Sequence, residues 1–404
     1  MSSPTGGRSP GRPQSIRAMN ERLLLEHIRR IGEISRADLA RTTGLSKPTV
    51  SLTLANLERT GLVRSAGLRT GAPGPAAVLY ELRPDVGHVL ALDVGQRFLR
   101  GSISDIAGAV CATSTVRARA TTGRGRVAEL VRLAESLCST AGLGRDDLTQ
   151  TVLGSPGVYD PQQDAITLAP ALNGWERPEV LTALRAAFGA TLMIENDVDA
   201  AALAEQAHGH GRGVDSFAFV SVGTGIGMGL VLGGELLRGA HGAAGEIGYL
   251  PFEIAEPDDA EDAGRRGRLE ATASGDGITR AAQRAGLGSG LSAREVFAAA
   301  NNGDRRAVGV VAAEAYLVAR AICAVVAVAD PELVVLGGGI GRAAGFVDAV
   351  RIELERIAPV LPELQVSAVG DAAVIDGCLA AGLERAWERL TSALSGQALP
   401  ATKI

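Results

Sequence analysis

The chain has 404 residues, 46% of them hydrophobic, which is enough for two or three domains with a sizeable core. No uncharged apolar run of about 18 residues predicts a membrane span, residues 1–14 lack the apolar segment of a secretion signal, and four scattered cysteines suit a reducing cytoplasm. The net charge of −5 conceals an asymmetry, because residues 1–82 hold twelve Lys/Arg against six Asp/Glu, leaving +6 there and −11 on the rest.

A basic head on an acidic body suits a head that meets a polyanion. Residues 1–15, with Arg8 and Arg12, show no hydrophobic periodicity and are expected to form a disordered arm. Over 16–31, Leu23, Leu24, Ile28 and Ile31 recur at helical spacing, and Gly32 ends the helix. Ser35 reads as an N-cap for a second helix, Arg36–Thr43, that stops at Gly44. Ser46 caps a third helix, with Pro48 in its first turn and Val50, Leu54 and Leu57 as its buried stripe. Gly61 closes it.

Helix, glycine turn and capped helix form a helix-turn-helix pattern. Residues 62–63 and 78–82 would add a two-stranded wing around the loop 64–77. The unit 16–82 therefore predicts a winged helix-turn-helix that binds double-stranded DNA. Ser46, Lys47, Thr49, Ser51 and Thr53 are expected to face base edges, with Arg36 on the preceding helix and Arg69 at the wing tip as further contacts. The plainer alternative is a three-helix cap without a ligand.

From Pro84 the pattern changes. VLALDV (89–94) reads as a buried strand, with a meander continuing over 98–103 and 110–115 and a helix over 126–138. A short strand at 152–154 runs into GSPGVYD (154–160), a helix covers 178–188, and a strand at 191–194 ends in ENDVDAAALAE (195–205). Strands at 217–222 and 228–232 flank the glycine-rich VGTGIGMG (222–229), which HGAAGEIGY (241–249) and GRRGRLE (264–270) follow. Helices at 276–285, 293–301 and 305–328 precede a strand at 333–336, a triple glycine at 337–339 and closing helices to about 394. Strands and helices mixed in two successive blocks predict a two-lobed α/β body.

LDVG (92–95), GSPGVYD, ENDVDAA, GTGIGMG, HGAAGEIGY and GGGIG (337–341) stand in the order found in the ROK family of repressors and kinases, which this chain resembles over nearly all residues after 15. The head sequence ISRADLARTTGLSKPTVS (34–51) resembles the heads of that family's xylose- and N-acetylglucosamine-type repressors. The resemblance implies an actin-like sugar-kinase body with its first lobe at 86–195 plus 374–396 and its second at 196–373. It also implies that a sugar binds between the lobes, contacted by Gly157, Asn173, Asn196, Asp197, Glu246 and Glu270, with Asp197 at the catalytic-base position. Asn196 and Asp197 read equally as an N-cap pair for the helix that follows.

Three departures bear on chemistry. Gln96 and Arg97 replace the small phosphate-holding residues that kinase members carry after the first strand, so phosphoryl transfer is not expected. Tyr249 stands where the family has a zinc-binding His, no cysteine occurs over 251–270, and Arg268 takes the position of the last ligand, so no structural zinc and no other cofactor is expected. Tyr249 is then expected either to donate a phenolic hydrogen bond to the sugar in place of that His or simply to pack, and the acidic segment 253–262 is expected to be a mobile loop. These readings predict a cytoplasmic, sugar-responsive DNA-binding regulator acting as a homo-oligomer, dimer or tetramer, without membrane association. The alternative is an ATP-dependent sugar kinase with a DNA-binding head.

Overall fold

A computed structural model of the chain describes residues 13–69, 76–253 and 257–395. The expected disordered arm up to residue 12 and the wing-tip residues 70–75 lie outside the described residues.

The head begins with α1 (Pro13–Ile31), three residues earlier than the periodicity suggested, and buries Leu24, Leu25 and Ile28. β1 (Ile34–Ser35) follows, then α2 (Arg36–Thr43), where the Ser35 hydroxyl accepts the Asp38 N–H at 3.2 Å and Gly44 turns the chain at φ 72°. In α3 (Lys47–Arg59) the Ser46 hydroxyl accepts the Thr49 N–H at 3.3 Å. β2 (Val63–Arg69) and β3 (Ala77–Leu82) form the wing. β1 pairs with β3, so the wing is three-stranded, in the order β1-β3-β2, rather than two-stranded.

The body opens with β4 (His88–Val94), buried along its whole length as its unbroken apolar run requires. β5 (Phe98–Asp105), β6 (Val110–Arg117), α4 (Gly123–Ala141) and β7 (Leu148–Ser155) follow, then a hairpin of β8 (Val158–Asp160) and β9 (Ala165–Thr167). α5 (Pro178–Phe188) and β10 (Leu192–Asn196) complete a five-stranded sheet of order β10-β7-β4-β5-β6. α6 (Asp197–His208) then crosses to β11 (Phe217–Val222), β12 (Ile226–Leu232) and β13 (Glu235–Leu236).

Helices α7 (Pro257–Arg266), α8 (Arg268–Thr272), α9 (Gly275–Arg284), α10 (Ala293–Asn301) and α11 (Arg305–Ala329) lead to β14 (Leu333–Gly337). After α12 (Gly338–Gly341), α13 (Phe346–Ile357) and β15 (Glu363–Val366), the second sheet has the order β13-β12-β11-β14-β15. In each sheet an antiparallel hairpin, β4–β5 or β11–β12, has a parallel strand on the far side of its first member, β7 or β14. The two lobes thus repeat one topology. α14 (Ala373–Ser395) returns to the first lobe and packs on β4, β7 and α6.

Two expectations change here. Residues 257–262 of the acidic segment, expected in a mobile loop, lie in α7, where Asp259 is buried and accepts hydrogen bonds from Arg280 at 2.6 Å and Arg284 at 3.1 Å, while residues 254–256 lie outside the described residues. α11 is long and apolar enough to cross a membrane by length and composition, although the sequence suggested no span. Half of its apolar window is buried inside the protein, and Ala307, Val310, Val318, Ile322 and Val325 belong to the core of the second lobe.

α6 is the element both lobes share. Its Ala201, Ala202 and Ala204 pack with Phe217, Phe219 and Val231 of the second sheet, while Ala200 joins the Ile375, Cys378 and Leu379 side of α14. Only glycine fits opposite it. A Cβ at Gly377 would lie 1.6 Å from the Ala200 carbonyl oxygen, and one at Gly229 would lie 2.6 Å from the Ala202 Cβ. Gly377→Ala is therefore expected to force α14 off α6 at a cost of about 2–3 kcal/mol. A fall of several degrees in Tm checks this, and an unchanged Tm would show that the helices can separate freely.

Candidate functional site

A cleft of about 390 Å³ separates the lobes. Its first-lobe wall comes from Gly95 and Gln96 after β4 and from Pro156, Gly157 and Leu172, and its second-lobe wall from Gly223–Gly225, Glu246, Tyr249 and Glu270. Asn196 and Asp197, at the start of α6, form its floor. The sequence predicted Gly157, Asn196, Asp197, Glu246, Tyr249 and Glu270 as ligand contacts, and all six line this one cavity. Asn173 does not. It faces a smaller adjoining recess with Thr122, Arg126 and Trp175, because the chain turns at Gly174 (φ 71°) before α5.

Asn196 is committed to the fold as well as to the cleft. Its Oδ1 accepts the Val198 and Asp199 N–H groups at 2.8 and 3.1 Å, capping α6, while its Nδ2 donates to the Gly157 carbonyl at 3.0 Å. The N-cap reading thus holds beside the cleft reading, and the Asn196 amide ties the 155–157 turn to the cleft floor. Gly157 itself has φ 81°, and a Cβ there would lie 2.5 Å from the Thr167 carbonyl oxygen, so that turn accepts only glycine.

The cleft is rich in carboxylates. Burial and the nearby Asp93 charge push Asp197 up to about 7. Burial and the Glu270 charge likewise bring Glu246 to about 7. Glu270 is raised by burial, against which the Ile226 N–H donates at 3.1 Å. Tyr249 is 40% exposed, its hydroxyl pushed up by burial and by the charges of Glu246 and Glu270. Among the described lining residues the one cation is Arg266, already paired with Asp262 at 3.4 Å and Asp276 at 3.1 Å. Such a site offers acceptors to a ligand that brings hydroxyl donors.

The glycine turns lie at one end of the cleft, where the Gly223 carbonyl accepts the Gly275 N–H at 2.8 Å and a Cβ at Gly338 would meet the Val222 carbonyl oxygen at 2.3 Å. Across from them, Asp93 is buried and bound by Arg100 at 2.7 Å. Neither residue lines the cavity, and the antiparallel hairpin pairs residue 93 with residue 100. In the position of the family's zinc ligands, Tyr249 faces the cleft and Arg268 donates to the Phe252 carbonyl at 2.7 Å, so neither fits a zinc site.

The lobes are bound outside the cleft too. Arg238 clasps the buried Glu195 through Nε, at 3.2 and 3.1 Å to the two carboxylate oxygens, and through Nη2. His241 meets Asp160 of the β8–β9 hairpin at 3.2 Å.

A profile of the ROK family matches residues 89–382, more than half of the chain. The chain belongs to the ROK family. Residues 18–69 match the MarR family profile. The xylose repressor of Caldicellulosiruptor bescii is 25% identical over 390 residues, 90% of this chain and 95% of that protein. A putative xylose repressor of Caldicellulosiruptor sp. strain Rt8B.4 is 26% identical over 260 residues, 64% of each chain. The solved ROK hexokinase of Thermus thermophilus is 30% identical with a TM-score of 0.64, covering 74% of this chain and 98% of its own. A ROK family transcriptional regulator described as a homolog of the E. coli MLC protein has a TM-score of 0.75 at 23% identity, covers 94% of this chain and 99% of its own, and so shares the whole fold including the head.

In that head, Ser46, Lys47 and Ser51 are exposed on α3 and Thr49 is half-buried. Thr53 is a correction. At 6% exposure it packs with Val50, Leu54 and Leu57, because three residues from Val50 is the buried side of a helix. Leu52, 76% exposed, takes its place on the outer face and was missed. Arg36 is exposed, with its guanidinium 5.1 Å over the Tyr80 ring and hydrogen-bonded to the Tyr80 hydroxyl. Arg69 is bound to Asp38, which also accepts from Ser35 and Arg41. The Arg69 contact, with Ser35 second, holds the Asp38 carboxyl at about 2.

The raised carboxyls of the cleft make stability pH-dependent. The folded chain retains protons on Asp197 and Glu246 that the unfolded chain releases near pH 4, so stability declines as pH rises from about 4 to 7. Combining Asp197→Asn with Glu246→Gln is expected to raise Tm at pH 8 more than at pH 5. Thermal melts at the two pH values check this, and an equal shift at both would show that these groups ionise normally.

Proposed function

We propose that this protein is a cytoplasmic transcriptional repressor of sugar-metabolism genes, whose DNA binding is controlled by a sugar or sugar derivative held between the lobes. The observation that carries the reading is a winged helix-turn-helix head joined to a ROK body whose cleft is lined by Asp197, Glu246, Tyr249 and Glu270. Similarity to xylose repressors along 90% of the chain supports it. The ligand's hydroxyls donate to Glu246, Glu270 and Asp197, and Tyr249 bears on it from the second lobe. Ser46, Lys47, Thr49 and Ser51 meet base edges, Leu52 offers an apolar contact to a thymine methyl, and Arg36 and Arg69 meet phosphate or the minor groove. Arg69 reaches DNA by leaving or extending its pair with Asp38. One such head makes few base contacts, so a symmetric homo-oligomer reads an inverted repeat.

Phosphoryl transfer is not part of this reading. Asp93 is already paired to Arg100, and Gln96 places a side chain on the wall opposite the glycine turns, where a nucleotide's phosphates would need open space and backbone donors. Nor is a structural zinc part of it, given the donors at Tyr249 and Arg268. A kinase reading is favoured by Asp197 and the turn Gly223–Gly225 on the same cavity and by the 30% identity to the Thermus thermophilus ROK hexokinase. ATP turnover against a sugar panel decides between them, and turnover that Asp197→Asn abolishes would replace the repressor reading with the kinase one.

Selection on genomic fragments supplies the operator. Lys47→Ala is expected to weaken operator binding about tenfold at fixed salt while leaving unchanged the rise in Tm that the bound sugar produces. Unaltered operator affinity in this variant would remove α3 as the reading helix. Failure of D-xylose, D-glucose and N-acetyl-D-glucosamine alike to shift either Tm or operator affinity would count against sugar control.

A further inference from the structure

The head is not a free module on a flexible tether. Residues 83–87 are all that separate β3 from β4, and they are held at both ends. The Arg83 N–H donates to the Leu62 carbonyl at 3.0 Å, and a Cβ on Gly87 would lie 2.6 Å from the Thr149 hydroxyl oxygen. One hydrophobic cluster runs unbroken from Leu24, Leu25 and Ile28 of α1 to Val89 and Val152 of the first sheet and to Cys378, Ala386 and Trp387 of α14.

At the rim of that cluster lies the one charged contact between α1 and α14 among the described residues. Arg29 of α1 stands 5.0 Å over the Trp387 ring and donates to Glu384 at 2.8 Å. Trp387 is buried, yet its indole Nε1 has no hydrogen-bond partner. The ring is therefore held by stacking and packing alone, with no hydrogen bond of its own to anchor it.

Each end of this contact leads to a functional element. On the head side, Glu21 of α1 is buried and accepts hydrogen bonds from Arg17 at 3.0 Å and from Asn56, which lies on α3. A buried carboxylate bound this way ties the reading helix to α1. On the body side, α14 touches α6 at backbone distance where Gly377 faces the Ala200 carbonyl, and three residues before Ala200 is Asp197 on the cleft floor. With no side chain between them to deform, α6 and α14 move together. Any ligand that pulls the second-lobe residues Glu246 and Glu270 toward Asp197 shifts α6, and α14 carries the shift to Trp387.

We propose that Arg29, Trp387 and Glu384 form the joint through which occupancy of the cleft reaches the reading helix. The inference rests on the sugar-responsive reading given above and deepens it by naming the residues that couple the two sites. Arg29 and Glu384 touch neither DNA nor ligand in this arrangement. They set how α1, and with it α3, sits on the body. Coupling of this kind exists only if the ligand prefers one of two head positions, and the Arg29 contact with Trp387 and Glu384 is where head and body meet through charge.

The test uses the full-length protein and measures operator affinity with and without saturating D-xylose, D-glucose or N-acetyl-D-glucosamine. In the wild type at least one of these sugars is expected to change operator affinity by about tenfold or more. Arg29→Ala and Trp387→Phe are each expected to reduce that ratio to below about twofold, while the sugar-induced rise in Tm and the sugar-free operator affinity stay near wild type. Arg29→Lys, which keeps a cation over the ring, is expected to recover part of the ratio. A merely structural role would lower Tm or operator affinity and leave the ratio intact.

Arg29→Ala and Trp387→Phe proteins that fold, bind operator and keep the wild-type ratio would overturn the joint while leaving the sugar-responsive reading in place. A wild type whose operator affinity no sugar alters would overturn the reading and the joint with it. Should Trp387→Phe fail to fold, Arg29→Ala decides alone, since the Arg29 and Glu384 side chains are 35% and 64% exposed and removing either leaves no buried hole.

Discussion

The close crossing of α6 and α14 is the constraint on which the rest of the body depends. A helix that must touch a second helix on one face and a sheet on the other has no room for large side chains, which is why α6 carries Ala200, Ala201, Ala202 and Ala204 and why glycines stand opposite it at 229 and 377. Its low amphipathicity follows from the same demand, since both faces are covered. The N-terminus of this helix is the cleft floor. Whatever fixes α6 therefore fixes Asn196 and Asp197, and the Asn196 cap fixes the Gly157 turn in its place on the opposite side. Packing and site geometry here have a single cause.

The electrostatics of the cleft depend on that packing. Partial burial at the base of a helix held between two lobes raises Asp197, and the neighbouring carboxylates at 93 and 246 add to its rise. Outside the cleft the same kind of charge is handled differently. Glu195, the residue before the cap, is buried and clasped by Arg238, and Asp93 is bound by Arg100. The protein thus neutralises the carboxylates that border the cleft and leaves unneutralised those that face its cavity. Buried carboxylates without cationic partners cost stability, and hydrogen-bond donors from a polyhydroxylated ligand would lower that cost.

Much of this was legible in the sequence. The caps at Ser35 and Ser46, the turn at Gly44 and the buried run of β4 follow from local chemistry, and the order of the motifs brought six cleft residues together. What was not legible depended on tertiary partners. Asp259 looked like part of a solvated acidic loop until Arg280 and Arg284, over twenty residues away, buried it and made α7 a helix. Asn173 belongs to a segment whose direction is set by the turn at Gly174, and no spacing rule gives that direction. Arg69 looked like a free wing cation because nothing local shows that Asp38, on another element, holds it. Thr53 is different, because helical periodicity already placed it beside Val50 and Leu57, and its polarity outweighed that signal in the reading.

These misses share a feature with the departures from the kinase pattern. Arg100 on Asp93, Arg238 on Glu195, Arg69 on Asp38 and Arg29 on Glu384 are all arginines that reach across elements to carboxylates on another strand or helix. The exposed pair at Glu384 adds little to stability, whereas at Asp93 and Glu195 the arginine answers a buried carboxylate; in each case the pair also sets orientation. A planar guanidinium fixes both the distance and the angle between the elements it joins. In a body built from two copies of one topology around a cleft, such pairs fix how neighbouring elements are oriented to one another. The pair at Asp93 belongs to the first lobe alone, the pair at Glu195 spans the lobes, and the pair at Glu384 spans body and head. From the cleft outward the arginine pairs thus join strands within the first lobe, then the two lobes, then body and head.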